Sequence, residues 1–374
     1  MKFSSVLNLA IISTSFAKKY LVETTNNIMF NFVEQSNIVD EINIGDLTIF
    51  VMEYEQFPYH LYTIYNYNIK NIEEDQEISL QNFEQINLLK ENKVCLNLQE
   101  DPVWNLDRID QQSNVLDNRY LYQSSSGENV NMFVVDTGID VSHSGFSKVP
   151  EWGFNGADTV DTDCNGHGTH VAGTIGGKNY GVAKNVDLIA VKVLNCEGSG
   201  AFSGILKGLE YTINHHRKSR KTSVVNMSLG GSKSSFLNRA VGQLVKQGMH
   251  VVVAAGNSDQ DACNFSPASE ESVITVGATT EKNTLASFSN WGKCVDILAP
   301  GTNIKSLLPK GKTGSLQGTS MSSPHVAGLA ALLLNKNPNL SPKDLMNSIK
   351  TTCTKNSISG SLNDSPNCLI YSLA

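Results

Sequence analysis

The amino-acid sequence predicts an α/β fold in three layers, with a mostly parallel central sheet between helices. First, from Asp101 onwards, short runs of β-branched and apolar residues alternate with helical patterns. Second, several of these runs are almost continuously apolar, as in parallel strands covered on both faces. Third, glycine-rich turns separate the runs. Ligands of such a sheet bind at the carboxyl ends of its strands, so we expect functional residues there.

The individual elements follow from the same patterns. The predicted strands of the main sheet cover residues 130–135, 186–194, 223–227, 249–255 and 272–276. The predicted helices between them cover residues 203–217, 234–247 and 322–336. Before this region, two further short strands are predicted at residues 19–22 and 47–52. The length of the chain allows such a smaller leading unit beside one large domain.

Composition sets limits on function. The chain of 374 residues is 40% hydrophobic and 17% charged, which is typical of a globular protein with a core. Its net charge of −7 argues against a nucleic-acid partner, because such partners require a basic surface. Beyond the amino terminus, no run approaches the roughly 18 apolar residues of a membrane-spanning helix. We expect no stable membrane anchor, and we expect a monomer.

Residues 1–17 have the pattern of a signal peptide. Lys2 supplies a positive start, residues 6–12 are mostly apolar, and Ser15 and Ala17 are small residues where signal peptidase requires them. An ordinary apolar strand or helix is the alternative interpretation. We expect cleavage after Ala17, and a protein that is secreted or lies in a lumen of the secretory–vacuolar pathway.

Cysteine usage agrees with export. The seven cysteines are Cys95, Cys164, Cys196, Cys263, Cys294, Cys353 and Cys368. No C-x-x-C motif occurs, so zinc and thioredoxin-type sites have no support. Six cysteines lie beyond Asp101, and in an oxidising compartment they would form up to three disulfides. Buried free thiols are the alternative, and the residues alone leave the pairing open.

Three segments carry a carboxylate, an imidazole and a hydroxyl at the ends of regular elements. Asp136 lies in V-V-D-T-G-I-D, His167 in N-G-H-G-T-H-V-A-G and Ser320 in G-T-S-M-S-S-P-H-V-A-G. A serine hydroxyl becomes a useful nucleophile when a histidine takes its proton, and a buried aspartate orients that histidine. Backbone N–H groups at a helix start favour negative charge near Ser320. Asn257, after a buried strand, could supply a further oxyanion donor.

These motifs resemble the three signature blocks of the subtilase family, in the chain order Asp, His, Ser. The resemblance extends from about Trp104 to the carboxyl terminus and is closest to the proteinase K/aqualysin-like branch. It implies a three-layer subtilisin-like fold and a serine endopeptidase acting on proteins and peptides. Asp136, His167 and Ser320 would be the triad, and Asn257 the oxyanion asparagine. The segments matching the family's substrate-binding strands contain Gly198, Ser199, Gly200, Ser228, Leu229 and Gly230.

The specificity pocket is expected to be uncharged. Ala254 and Gly256 flank Ala255, and a neutral segment follows at residues 266–268. We expect a broad preference for apolar or aromatic residues before the cut. A convertase that cuts after basic pairs is disfavoured, because no acidic pocket residues are evident. It is also disfavoured because the chain ends too soon after Ser320 for an extra β domain.

The leading region resembles a subtilase prodomain, which is a small α+β unit of ferredoxin-like type. The resemblance implies that residues 18–98 form an inhibitory propeptide domain and linker, and residues 99–374 the peptidase domain. The protein would be a self-processing zymogen whose own propeptide is an intramolecular inhibitor. The processing point lies between about residues 79 and 101.

The resemblance also implies disulfides and calcium. Cys164 would pair with Cys196 and Cys263 with Cys294, which leaves Cys353 and Cys368 as the remaining pair. One matching calcium loop would contain Asp107, Asp110, Gln111 and Asp117. A second calcium site would use Asp296 with the backbone oxygens of Glu271 and Val273. Solvated surface carboxylates are the alternative for both sites, and no catalytic cofactor is expected.

Other functions fit less well. An aspartic protease would need a second D-T-G or D-S-G, and a zinc protease would need H-E-x-x-H; neither motif occurs. A catalytically silent binding or surface protein on the same fold is the remaining alternative. It would have a broken triad or a lost oxyanion donor, whereas the sequence has every one of these residues.

Overall fold

The computed structural model describes residues 17–24, 37–54, 69–79, 98–123 and 126–372. The predicted signal peptide before Ala17, and Cys95, lie outside these ranges. The chain divides into two compact units, one of Met1–Ile42 and Thr48–Asp75, the other of Asn43–Leu47 and Gln76–Ala374. No helix in the described ranges is long and apolar enough to cross a membrane.

The smaller unit contains a four-stranded sheet in the order β2-β3-β1-β4. Its strands are β1 (Lys18–Thr24), β2 (Ile38–Ile44), β3 (Leu47–Tyr54) and β4 (Ile69–Glu74). β1 pairs antiparallel with both β3 and β4. Tyr20, Val22, Phe50 and Met52 share one buried face, because alternate strand residues point the same way. Both strands predicted here are confirmed, and no α-helix occurs in the described part of this unit.

The larger unit is built on a nine-stranded sheet. Its strands are β8 (Val130–Asp136), β9 (Glu151–Asn155), β10 (Asp187–Lys192), β12 (Thr222–Met227), β14 (His250–Ala254), β16 (Ile274–Thr279), β17 (Ile297–Pro300), β20 (Thr354–Lys355) and β21 (Cys368–Leu369). They follow the order β20-β21-β17-β16-β14-β12-β8-β10-β9. Only the pair β20–β21 at one edge is antiparallel; the other pairings are parallel. The predicted mostly parallel sheet is therefore confirmed.

Short antiparallel ladders complete the strands of this unit. Their members are β5 (Glu77–Ser79) with β11 (Ser199–Ala201), β6 (Leu98–Glu100) with β7 (Arg119–Leu121), β13 (Gly231–Ser232) with β15 (Phe265–Ser266), and β18 (Ile304–Leu308) with β19 (Lys312–Leu316).

Helices cover both faces of the large sheet, which confirms the α/β class. They are α1 (Trp104–Ile109), α2 (His167–Gly176), α3 (Phe202–Ser219), α4 (Ser235–Lys246), α5 (Thr319–Lys336) and α6 (Pro342–Thr352). Helices α2 and α5 pack against each other and against the sheet, whereas α3 packs with α4. Helix α5 is buried around most of its circumference, as expected for a helix in a protein core.

Three disulfides tie distant segments of the larger unit together. They join Cys164 to Cys196, Cys263 to Cys294, and Cys353 to Cys368. The first two are the pairings that the family resemblance implies, and the third joins the two cysteines that these leave. The first joins the segment before His167 to the segment before Gly198.

Candidate active site

Asp136 and His167 form the centre of the site. Asp136 is the last residue of β8, and His167 is the first residue of α2. The Nδ1 atom of His167 lies 2.8 Å from Oδ1 and 3.0 Å from Oδ2 of Asp136. Both side chains are buried. Because an ionised carboxylate can only accept, Nδ1 carries the proton and Nε2 is left as the basic nitrogen.

Glycine allows the close approach of α2 to the turn after Asp136. A side chain at Gly168 would collide with the carbonyl oxygen of Gly138, so only a glycine fits there. Gly138 itself has φ +107°, a conformation that L side chains rarely adopt. The glycines of the two motifs thus bring the carboxylate and the imidazole into contact.

Asp163 was not singled out from the sequence, yet it organises both motifs. Its Oδ1 accepts hydrogen bonds from Thr137 Oγ1 (2.9 Å) and from the N–H groups of Asn165 and Gly166 (3.1 and 2.8 Å). Its Oδ2 accepts from the N–H (2.8 Å) and hydroxyl (2.5 Å) of Thr169. The signal that could have identified it is an acidic residue just before a helix start, where backbone N–H groups need acceptors.

Ser320 lies against the neighbouring strand. Its Oγ donates to the carbonyl oxygen of Ser228 at 3.1 Å, directly beyond β12. In the parallel register of β12 and β8, Asn226 is opposite Val134, so Ser228 and Asp136 both follow at the carboxyl edge of the sheet. Ser320 is the second residue of α5, and its N–H is one of the donors that the helix does not use.

The amide of Asn257 and the N–H of Ser320 border the same space. Asn257 Oδ1 accepts from the N–H and the hydroxyl of Thr319, at 2.8 and 2.7 Å, which turns its Nδ2 the other way. An ideal Cβ on Gly318 would lie 3.1 Å from that Nδ2 and 3.6 Å from the nitrogen of Ser320. Glycine at position 318 keeps this space open, and two donors there could stabilise an oxyanion.

One of the predicted substrate segments pairs with a short strand that precedes it in the chain. Ser199 and Gly200 belong to β11, which pairs antiparallel with β5, so that Gly200 is opposite Ile78. Ile78 is buried, and its Cγ1 would lie 3.1 Å from an ideal Cβ on Gly231. The three-residue strand β5 thus pairs with the first of the two predicted substrate segments. Addition of a strand to an existing segment in this way is called β-augmentation. Gly198 precedes β11 with φ +81°.

The second predicted segment is tied to the helix of Ser320. Ser228 Oγ donates to the carbonyl oxygen of Ser320 at 2.9 Å and lies 2.8 Å from Ser323 Oγ. Leu229 is buried and Gly230 is half-buried. Ala254, at the end of β14, and Gly256 are buried, and the N–H of Gly256 donates to Thr319 Oγ1. These residues introduce no charge.

The first predicted calcium loop has features that fit a cation. Asp107 accepts the N–H groups of Asp117 and Asn118, and its Oδ1 also accepts Gln111 Nε2. Asp110 Oδ2 accepts Leu121 N–H, while its buried Oδ1 has no hydrogen-bond partner. Burial, with smaller contributions from the charges of Asp107 and Asp117, raises the pKa of Asp110 to about 7. A bound cation would stabilise the ionised form of this buried carboxylate.

The residues at the second predicted calcium site fit less well. Asp296 Oδ2 accepts Thr275 N–H, and its Oδ1 forms an ion pair of 2.8 Å with Lys350 Nζ. An ammonium group therefore already neutralises the carboxylate that would bind the ion. A cavity of about 370 Å³ lies beside it, bordered by Glu271 and Asp296.

Only one group of three converging metal-type ligands occurs in the described ranges, at Asp158, Cys164 and Cys196. The two cysteines are bonded to each other, so they are not available as thiolate ligands. This group is therefore no metal site in the oxidised protein.

The geometry defines a class of α/β proteins with an Asp-His pair and a serine at the carboxyl edge of a parallel sheet. Residues 127–365 match the model of the subtilase family, and the chain belongs to that family. It is 50% identical to subtilisin-like protease 6 of Trichophyton tonsurans over 240 residues, 62% of this chain and 58% of that protein. It is 45% identical to alkaline serine exoprotease A of Vibrio alginolyticus over 280 residues, 74% and 51% of the two chains.

A solved structure shares the fold. The crystal structure of a cold-adapted subtilisin-like serine proteinase superposes with a TM-score of 0.70 at 44% identity, covering 74% of this chain and all of that one. The chain spans about half the length of the curated relatives it matches.

Proposed function

We propose that this protein is a serine endopeptidase that hydrolyses peptide bonds of proteins through an acyl-enzyme intermediate. The observation that carries the proposal is the buried contact of 2.8 Å between His167 Nδ1 and Asp136. The contact favours the tautomer with its proton on Nδ1, which leaves Nε2 as the nitrogen that can act as a base. Ser320, in the first turn of α5 and beside the end of β12, is the nucleophile.

The proposed mechanism uses groups of this chain alone. His167 removes the hydroxyl proton of Ser320 as its Oγ attacks the peptide carbonyl. The Nδ2 of Asn257 and the N–H of Ser320 bind the resulting oxyanion. His167 then protonates the leaving amine, and water releases the acyl group by the same steps. The uncharged Ala254 and Gly256 support a preference for apolar or aromatic residues before the cut.

The protein is also proposed to be a self-processing zymogen. The antiparallel pairing of β5 with β11 supports this, because the strand is the chain's own peptide in the predicted substrate position. In this proposal residues 1–17 are a signal peptide, 18–98 an inhibitory propeptide with its linker, and 99–374 the peptidase domain. The mature protein would be a secreted monomer, and a structural calcium would be held by Asp107, Asp110, Gln111 and Asp117.

A serine-directed fluorophosphonate probe tests the nucleophile and the processing together. The wild-type protein is expected to be labelled at Ser320, and amino-terminal sequencing of the labelled species should give a start between about residues 79 and 101. Ser320→Ala should prevent both labelling and release of the leading segment. Ser322→Ala is the matched control, since Ser322 is an equally buried neighbour on α5. This variant should still be labelled at Ser320.

A catalytically silent binding protein would give a different result. The wild-type chain would then neither react with the probe nor cleave a denatured protein substrate, and the proposed function would be wrong. If Ser320→Ala, made alone in a protease-free system, still released its leading segment, only the self-processing part would fail.

A further inference from the structure

Two buried charges of opposite sign hold Thr137, the residue that follows Asp136. Lys192 Nζ donates to the carbonyl oxygen of Thr137 at 3.1 Å. The hydroxyl of Thr137 donates to Asp163 Oδ1 at 2.9 Å. Lys192 and Thr137 are 0% exposed and Asp163 is 2% exposed, so water competes little with these bonds.

The cation joins the ends of two strands. Lys192 ends β10 directly opposite Asp136, the end of β8. Besides Thr137, its ammonium donates to the carbonyl oxygen of Leu194 at 2.9 Å and faces Asp158 Oδ2 at 3.2 Å. The N–H of Leu194 in turn donates to the carbonyl oxygen of Asp136. The ammonium therefore holds two backbone groups next to the Asp136 carbonyl: that of Thr137, which follows it in the chain, and that of Leu194, which donates to it.

The anion joins the same turn to the helix of His167. Asp163 accepts from Thr137 on the β8 side and from Gly166 and Thr169 at the start of α2. Thr137 Oγ1 also accepts the N–H of Gly168 at 2.9 Å. The position of α2 relative to the turn, and hence of the imidazole relative to the carboxylate, depends on these bonds.

Stability alone gives a weak reason for such charges. A charged group loses its hydration when it is buried, so it often contributes less to stability than an apolar residue of the same volume would. What it provides here is geometry, since each polar partner accepts only a narrow range of positions. A small displacement of groups that react together can lower turnover by orders of magnitude.

We propose that Lys192 and Asp163 are positioning residues for the Asp136–His167 pair, acting from opposite sides through Thr137. The inference rests on the proposed peptidase function. Lys192→Met is expected to lower kcat by about 10- to 100-fold while KM for a peptide substrate changes less than about twofold. The effect on kcat arises because the turn that carries Asp136 loses its cation, whereas the cleft residues are untouched.

Lys184→Met is the matched control. Lys184 is also a buried lysine of the larger unit, but its ammonium donates to Gly181 and lies over the rings of Tyr120 and Tyr122. Its loss should lower thermal stability without changing kcat per active site, counted by fluorophosphonate titration. Equal kcat losses in Lys192→Met and Lys184→Met, or an unchanged kcat in Lys192→Met, would overturn the proposal.

A spectroscopic measurement separates this inference from the proposed function. In the Ser320→Ala background, the hydrogen-bonded Nδ1 proton of His167 should give a low-field proton resonance. Lys192→Met and Thr137→Val are expected to shift or broaden it, and Lys184→Met to leave it in place. Thr137→Val removes the hydroxyl with little change in shape, so it tests the contact if Lys192→Met does not fold. A resonance that neither variant perturbs contradicts the inference, even if the wild type shows no activity.

Discussion

The carboxamide of Asn257 has only one orientation that satisfies its neighbours. Thr319 presents two donors, its N–H and its hydroxyl, and both reach Oδ1 of Asn257. The amide nitrogen is thereby directed towards the space beside Gly318 and the N–H of Ser320. A donor that is oriented before the reaction begins stabilises charge that appears only in the transition state.

Replacement of Asn257 should therefore affect turnover more than binding. Asn257→Ala is expected to lower kcat by about 10²–10³ with little change in KM. Asn257→Asp keeps the shape and the bonds from Thr319 but replaces the donor with an oxygen, so its loss should be at least as large. Steady-state kinetics on a peptide substrate, normalised by active-site titration, checks this. An unchanged kcat in Asn257→Asp would exclude the side chain from the oxyanion site.

At the scale of elements, helix α6 brings a lysine to the position where a calcium ion was predicted. Lys350, near its carboxyl end, forms the ion pair with Asp296 in the loop before β17. Burial raises the pKa of Asp296, and the neighbouring ammonium lowers it. The ammonium repels a divalent cation and occupies an oxygen that would bind it, so the two compete for the same carboxylate.

Removal of this lysine should create a response to calcium. The measurement is thermal unfolding of a parent protein that carries two substitutions. Ser320→Ala prevents autolysis, and Asp110→Asn disables the other proposed calcium site. Adding Lys350→Met should make the melting temperature rise with calcium concentration, because an ion that binds only the folded state stabilises it. Lys343→Met, an exposed lysine change on the same helix, should not. If the parent protein already responds to calcium, the lysine does not replace the ion.

Element boundaries show where patterns alone were insufficient. The last helix was predicted from residue 322, but α5 begins at Thr319, and this puts Ser320 in its first turn. Bonds from Thr319 to Asn257 and Gly256 hold the first turn in place, and these partners are more than sixty residues away.

At the scale of the whole molecule, three of the histidines in the described ranges are buried in an uncharged form. Burial, which disfavours the charged imidazolium, lowers the pKa of His170 to about 3 and those of His250 and His325 to about 4. In the unfolded chain each would titrate near 6.5. Between about pH 4 and 6.5 the unfolded state therefore binds more protons, and stability falls as the pH decreases through this window.

This proton difference can be measured. The free energy of unfolding of Ser320→Ala, from denaturant titrations, should fall between pH 6.5 and 4 by up to about 1.4 kcal/mol per pH unit for each histidine. His250→Gln should reduce that slope by close to one proton, because it removes one titrating group. His250 is a suitable choice because it is the first residue of β14 and does not belong to the Asp136–His167 pair. A slope that is the same in both proteins would show that His250 does not contribute.

The sequence by itself determined the strand and helix pattern, the α/β class, and which residue types could perform acyl transfer. These properties are local, because side-chain periodicity and motif spacing are written along the chain. Tertiary structure decided which groups meet: Asp136 with His167 across 31 residues, and Ser320 with Ser228 across 92. Lys192 was missed for the same reason. A buried charge has no periodic signature, and its partners are set by the order in which the strands assemble into the sheet.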